Sequence, residues 1–324
     1  MKKAAGIITG ATALAAAAAT GAIFRYTFFF TKKQWAATGY PKGSQYQPYR
    51  EMAERLIARI QALPYEEVSI LSDDGLKLYG KYYHHTDGAP LEIMCHGYHG
   101  KAERDFCGGF WLAKEAGHNV LLIDERAHGK SEGHVITFGI RERYDCLGWV
   151  RYAVSRFGKD VKIILEGVSM GAATVLMASE LELPENVKGI IADCGYSSPG
   201  AIVRNTAAGM GYPADILYHF AKLGARLLGR FDLEESSASE ALAHYKIPVL
   251  FIHGEDDRFV PCRMTYENYQ ACASEKTLFT VPGAGHTLCY MVDNEGYRRE
   301  VRRFLDRIGC GAADQENQAQ PWQF

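Results

Sequence analysis

Between residues 91 and 281, short continuous apolar runs alternate with helix-patterned stretches. The runs are LEIMC (91–95), NVLLID (119–124), VKIILE (161–166), VKGIIAD (187–193), IPVLFIH (247–253) and KTLFTV (276–281). Apolar runs this short suit strands buried on both faces of a parallel sheet. Helical patterning falls at roughly 103–116, 140–157, 170–182, 263–274 and 293–308. Two earlier runs, EEVSIL (66–71) and LKLYGKYY (76–83), are separated by SDDG, so that pair is expected to be an antiparallel hairpin. The prediction is an α/β chain with eight strands, mostly parallel, and helices on both faces. One interval breaks the rhythm. Nearly fifty residues separate Ser197 from Tyr245, too many for a simple crossover, and predict a small helical cap at about 198–240.

One junction in this pattern carries a possible chemistry. IILEGVSMGAATVLM (163–177) passes from an apolar run through G-V-S-M-G into a helical segment. A sharp strand-to-helix turn puts unusual dihedrals on its central residue, and flanking glycines let neighbouring backbone approach without a Cβ clash. Such a turn would lift the Ser169 hydroxyl above the sheet. A hydroxyl needs a base to act as a nucleophile. His286, in VPGAGHTL after the last strand run, stands where that base must sit. The orienting acid should follow the preceding strand. FIHGEDDRFVP offers Glu255, Asp256 and Asp257 there; Asp257 is the best placed, with Asp256 second. The chain order Ser, Asp, His is a known one for such a triad.

An oxyanion would be held by backbone N–H groups. Met170 follows the serine, and Tyr98 lies in MCHGYHGKAERD after the third strand. His96 and His99 of that loop lack a third ligand at a telling spacing, so neither a metal nor any other cofactor is expected. IDERAHGKSEG (123–133) reads as a loop that braces the others, with Asp124, Arg126 and His128 in supporting roles.

Taken in order, His96-Gly97, DERAHGKSEG, GVSMG, HGEDDRFVP and GAGH resemble the α/β-hydrolase superfamily over about residues 65 to 308. More narrowly, the chain is similar to bacterial membrane-anchored hydrolases of the serine-aminopeptidase-like group. The resemblance implies an α/β-hydrolase fold with Ser169 as nucleophile, His286 as general base and acid, and Asp257 as orienting carboxylate. Tyr98 and Met170 would supply the oxyanion N–H groups. It implies a serine hydrolase cleaving an ester, thioester or amide in a small-molecule or short-peptide acyl substrate. A carboxylesterase-like activity leads, with an aminopeptidase-type peptidase or a non-catalytic binding module as the alternatives.

The remaining expectations come from composition. The 36 basic and 38 acidic residues give a net charge of −2, with no basic stripe to favour nucleic acid. Eight dispersed cysteines in apolar runs read as reduced, structural thiols. Residues 1–34 hold an uncharged run from Ala4 to Phe24, then aromatics beside Arg25, Lys32 and Lys33. That length suits a single-pass membrane anchor with an interfacial aromatic belt. Small residues at Ala17–Ala19 allow a secretory signal, with secretion after cleavage, as the alternative. Residues 35–64 read as a linker and an amphipathic helix, 65–308 as the catalytic domain, and 309–324 as a disordered tail.

Overall fold

The computed structural model describes residues 2–312, so most of the tail expected at 309–324 lies outside the described residues. One sheet contains β1 (Glu66–Leu71), β2 (Lys77–Tyr83), β3 (Leu91–Cys95), β4 (Asn119–Ile123), β5 (Ile163–Val168), β6 (Val187–Asp193), β7 (Val249–Gly254) and β8 (Lys276–Val281). Their spatial order is β1-β2-β4-β3-β5-β6-β7-β8. β2 is antiparallel to both its neighbours, β1 and β4, and every pairing from β4 to β8 is parallel.

The N-terminal stretch forms α1 (Lys2–Thr27), α2 (Lys32–Ala37) and α3 (Arg50–Gln61). Crossovers supply α4 (Ala102–Asp105), α5 (Gly109–Glu115), α6 (Glu142–Phe157) and α7 (Met170–Ala178). α8 (Pro199–Gly209) and α9 (Ala214–Gly224) occupy the interval expected as a cap. α10 (Ala238–Leu242), α11 (Arg263–Ala271), α12 (Cys289–Val292) and α13 (Asn294–Arg307) follow. The stretch expected as one helix at 103–116 is two short ones. A Cβ on Gly109 would stand 2.6 Å from Glu166 Oε1, so the break sets glycine backbone directly against β5.

Successive strand residues face opposite cores. Ile163 and Leu165 pack with Trp149 of α6 and Val175 of α7, whereas Ile164 packs with Tyr297 and Phe304 of α13. Both faces are covered, which is why the strand runs read as continuously apolar. Their carboxyl ends converge on one edge, where the loops after β3, β5, β7 and β8 meet.

The membrane reading of the N-terminus is corrected by the structure. No described helix is long and apolar enough to cross a membrane. α1 is rich in Ala, Gly and Thr, and it continues unbroken through Ala17–Ala19. Its later turns pack on α9, where a Cβ on Gly224 would lie 2.9 Å from that of Phe24. Phe28 is fully buried and meets Phe138 and Phe231 edge-on, at 5.7 and 5.4 Å between centroids. Phe30 is also buried and stacks on His99. Of the aromatics expected as an interfacial belt, Phe28 and Phe30 are core residues, Phe29 is partly buried against the same core and Tyr26 is exposed. Single-pass anchoring and a membrane partner therefore lack support.

Candidate active site

Ser169 ends β5 and opens α7 with φ 57° and ψ −114°, a conformation that side chains rarely adopt. The glycines make that turn possible. A Cβ on Gly171 would overlap the Cys95 carbonyl of β3, and one on Gly167 would overlap the Gly171 carbonyl. The Ser169 N–H donates to Asp193 O at 2.8 Å, tying the turn to the end of β6. Strand pairing thus holds the hydroxyl at the sheet edge.

His286, in the loop after β8, reaches the same point. Its Nε2 lies 3.0 Å from Ser169 Oγ and its Nδ1 2.6 Å from Asp257 Oδ2. The network assigns the proton: Nδ1–H donates to the carboxylate, leaving Nε2 to accept from the hydroxyl. Asp257, after β7, is buried, and its Oδ1 accepts from the N–H groups of Phe259 and Val260, each at 2.8 Å. Burial would raise this carboxyl, but His286 and His253 outweigh it and hold it well below the usual carboxylate range. Asp256, the second candidate, is exposed and only its backbone N–H engages the loop, donating to Ala284 O. The structure therefore brings Ser169, His286 and Asp257 together and leaves Asp256 out.

Residues 93–300 match the alpha/beta hydrolase family, over well more than half of the chain. The chain belongs to that family.

Among its relatives is the Bacillus subtilis protein YqkD, 28% identical over 61% of this chain and 65% of that protein. The match thus spans just under two thirds of YqkD. Among solved structures, the Pyrococcus furiosus esterase Pf2001 aligns with a TM-score of 0.64 at 21% identity, over 88% of this chain and 99% of that one. Est1E from Butyrivibrio proteoclasticus, solved with ferulic acid, gives 0.57 at 22% identity, over 74% and 98%. At these identities the two structures speak for the fold.

In this alpha/beta hydrolase Tyr98 lines the cavity beside Ser169, and Met170 opens α7 directly after it. Among the described residues, no acceptor pairs with the N–H of Tyr98 or of Met170. The loop carrying Tyr98 is held from below, because the Gly97 N–H donates to Asp105 Oδ2 at 3.0 Å and Arg104 Nε–H donates to Asp105 Oδ1 at 2.7 Å. The Tyr98 phenol donates to Thr27 O at 3.0 Å, fastening the loop to the end of α1.

The other polar residues singled out in the sequence have structural partners. His96 Nδ1–H donates to Gly97 O at 2.8 Å, and its Nε2 accepts the Glu125 N–H at 3.1 Å, which leaves neither nitrogen for a metal. His99 is stacked between Phe30 and Tyr98, and burial followed by Arg104 lowers it to about 4. Arg126 grips Asp145 with two bonds, at 2.6 and 2.7 Å, and Asp74 with two more, at 2.9 and 3.2 Å. Asp124 accepts the Lys130 N–H at 2.8 Å, and His128 Nδ1–H donates to Arg126 O at 2.9 Å. This loop braces its neighbours.

Among the described residues, one group of metal-type ligands converges: Cys194, Asp257 and His286, within 4.8 Å. The His286–Asp257 hydrogen bond already uses two of those atoms, and burial keeps the Cys194 thiol protonated. The donor set suits a proton relay better than a cation. All eight cysteines are buried and unpaired.

The sequence reading missed the cavity walls. Beside Ser169 lies a cavity of about 100 Å³, roofed by Tyr40, Pro41 and Tyr46 of the segment taken for a linker. Gln45 from the same segment packs so closely on Gly285, next to His286, that a Cβ there would collide with its amide. The tyrosine density of GYPKGSQYQPY was the only hint, since an exposed linker has no use for three large rings. Cap residues Ile216, Leu223 and Leu227 are exposed and do not line the cavity.

Proposed function

We propose that the protein is a serine hydrolase that cleaves a carboxylic ester, or a related thioester or amide, through an acyl-enzyme on Ser169. The observation that carries this reading is the line Ser169 Oγ, His286 Nε2 at 3.0 Å, His286 Nδ1, Asp257 Oδ2 at 2.6 Å. His286 takes the hydroxyl proton as Oγ attacks the carbonyl carbon, and Asp257 stabilises the imidazolium that forms. The N–H groups of Tyr98 and Met170 receive the developing oxyanion; one such donor contributes about 3 kcal/mol in comparable sites. Collapse expels the alcohol with the proton from His286, and water repeats the sequence in reverse to free the acid. The esterase activity named for Pf2001 supports an ester as the preferred bond.

Active-site labelling tests the reading. A fluorophosphonate probe should label the folded wild-type protein at Ser169 and leave Ser169→Ala unlabelled, and p-nitrophenyl butyrate turnover should fall at least about 10⁴-fold in the variant. Absence of labelling in the folded wild type would overturn the assignment.

A further inference from the structure

The cavity beside Ser169 has a polar wall that the acyl-transfer scheme does not use. The cavity extends from Gly97, Ser169 and His286, and this wall consists of Glu166, Asp193 and Tyr290 on the face covered by α5, α12 and α13. Strand register places the two carboxylates there together: Glu166 pairs with Ile191 and Val168 with Asp193, so both acids project to the same side. Each is nearly inaccessible, at 3% and 5% exposure.

The bonding of this wall is incomplete in one direction. Asp193 Oδ2 accepts from the Tyr297 phenol at 3.1 Å, but Asp193 Oδ1 is buried with no partner among the described residues. The Tyr290 hydroxyl, on a residue 7% exposed, is likewise buried and unpartnered. Glu166 differs: burial, then Glu92 beside it, raises its carboxyl well above the usual range, so it keeps its proton. Glu92 is itself matched by His118 Nδ1, at 2.6 Å. Asp193 is raised only to about 6, by burial, and is mainly ionised at neutral pH. A buried carboxylate oxygen and a phenol with no partner are costly to leave unpaired. Both line the cavity that opens on the nucleophile.

We propose that this wall is a specificity subsite that takes a hydrogen-bond donor, a hydroxyl or an ammonium, carried by the substrate close to the bond that is cleaved. Asp193 Oδ1 accepts from that group and Tyr290 flanks it, so a substrate with a plain alkyl chain leaves both atoms unpaired. The cavity volume of about 100 Å³ restricts the group to a short one. The proposal rests on the serine-hydrolase reading for its place in a reaction, but its binding chemistry can be measured apart from turnover.

The experiment compares isosteric esters. On the acyl side these are p-nitrophenyl butyrate, β-hydroxypropionate and β-alaninate; on the alcohol side, propyl acetate and ethylene glycol monoacetate. The donor-bearing member of at least one series should exceed its alkyl partner by about tenfold or more in kcat/KM. In Asp193→Asn and Tyr290→Phe that ratio should fall to within about twofold of unity or clearly toward it. The two acyl donors separate hydroxyl from ammonium. Calorimetric titration of the same pairs into Ser169→Ala reads affinity without catalysis. If nothing is hydrolysed but the binding preference is present and lost in the Asp193→Asn, Ser169→Ala double variant, the hydrolase reading fails and the subsite stands. If esters are hydrolysed with no donor preference in either series, or the preference survives both substitutions, the subsite is wrong.

Discussion

Asp257 shows how much a single residue's place determines. Its neighbour Asp256 has the same side chain, yet only Asp257 is buried with both oxygens engaged, one by His286 and one by two backbone N–H groups. Asp257→Asn would turn the imidazole to its wrong tautomer and should lower kcat for p-nitrophenyl butyrate by about 10⁴-fold. Asp256→Asn should stay within a few-fold of wild type; equal losses in the two variants would contradict the assignment. Ser169 and His286 were legible in the sequence because their loops follow strands that could be counted. The glycines at 167 and 171 were legible for a steric reason, and the overlaps predicted for a Cβ at each bear it out. Glu166 was in view but unread. A carboxylate inside a run expected to be buried on both faces was the available signal, and the apolar average of the run concealed it.

Helix α1 is the element where sequence and structure part. A run of small and apolar residues is equally compatible with lipid and with a protein groove, because either environment removes it from water. The decision rests on what packs against it, and Gly224 of α9, Phe138 and Phe231 come from distant parts of the chain. Phe28→Ala should cost about 3–5 kcal/mol of unfolding free energy, as for other buried Phe truncations, read as a lowered urea midpoint. A loss under about 1 kcal/mol would mean that the α1 terminus is not seated as described. Within residues 35–64, expected as a linker and an amphipathic helix, Arg50–Gln61 forms α3 and buries Ala53, Leu56 and Ile60 along one face.

Across the whole molecule, buried acids on the α13 side of the sheet link stability to pH. Glu166 is raised by burial and then by Glu92 and Asp193, and Asp193 is raised to about 6 by burial. A carboxyl raised in the folded state contributes stability that is complete below its unfolded value, near 4, and is lost as pH rises through the folded value. His118, raised through its Glu92 partner against the opposing effect of burial, acts with the same sign above its own unfolded value. Asp257 acts oppositely, its contribution being present above about 3.9 and lost as pH falls through its depressed folded value. The urea midpoint of the wild type should therefore decline from pH 5 to pH 9. Glu166→Gln, which cannot ionise, should decline less and become the more stable protein at the alkaline end. Parallel curves for the two proteins would show that the Glu166 carboxyl titrates alike in the folded and unfolded states and is not raised by its site.

The sequence by itself determined the strand count, the antiparallel hairpin, the α/β class and the three residues that meet at the sheet edge. Those features depend on local periodicity and on the rule that loops follow strands, both of which are written in consecutive residues. The tertiary structure decided that the end of α1 and the aromatics after it seat on the protein through Phe24, Phe28 and Phe30, that residues 40–46 roof the cavity and that Glu166 and Asp193 share a wall with the nucleophile. Each of those depends on which distant surfaces come into contact, and burial of that kind is a property of pairs of segments rather than of either one.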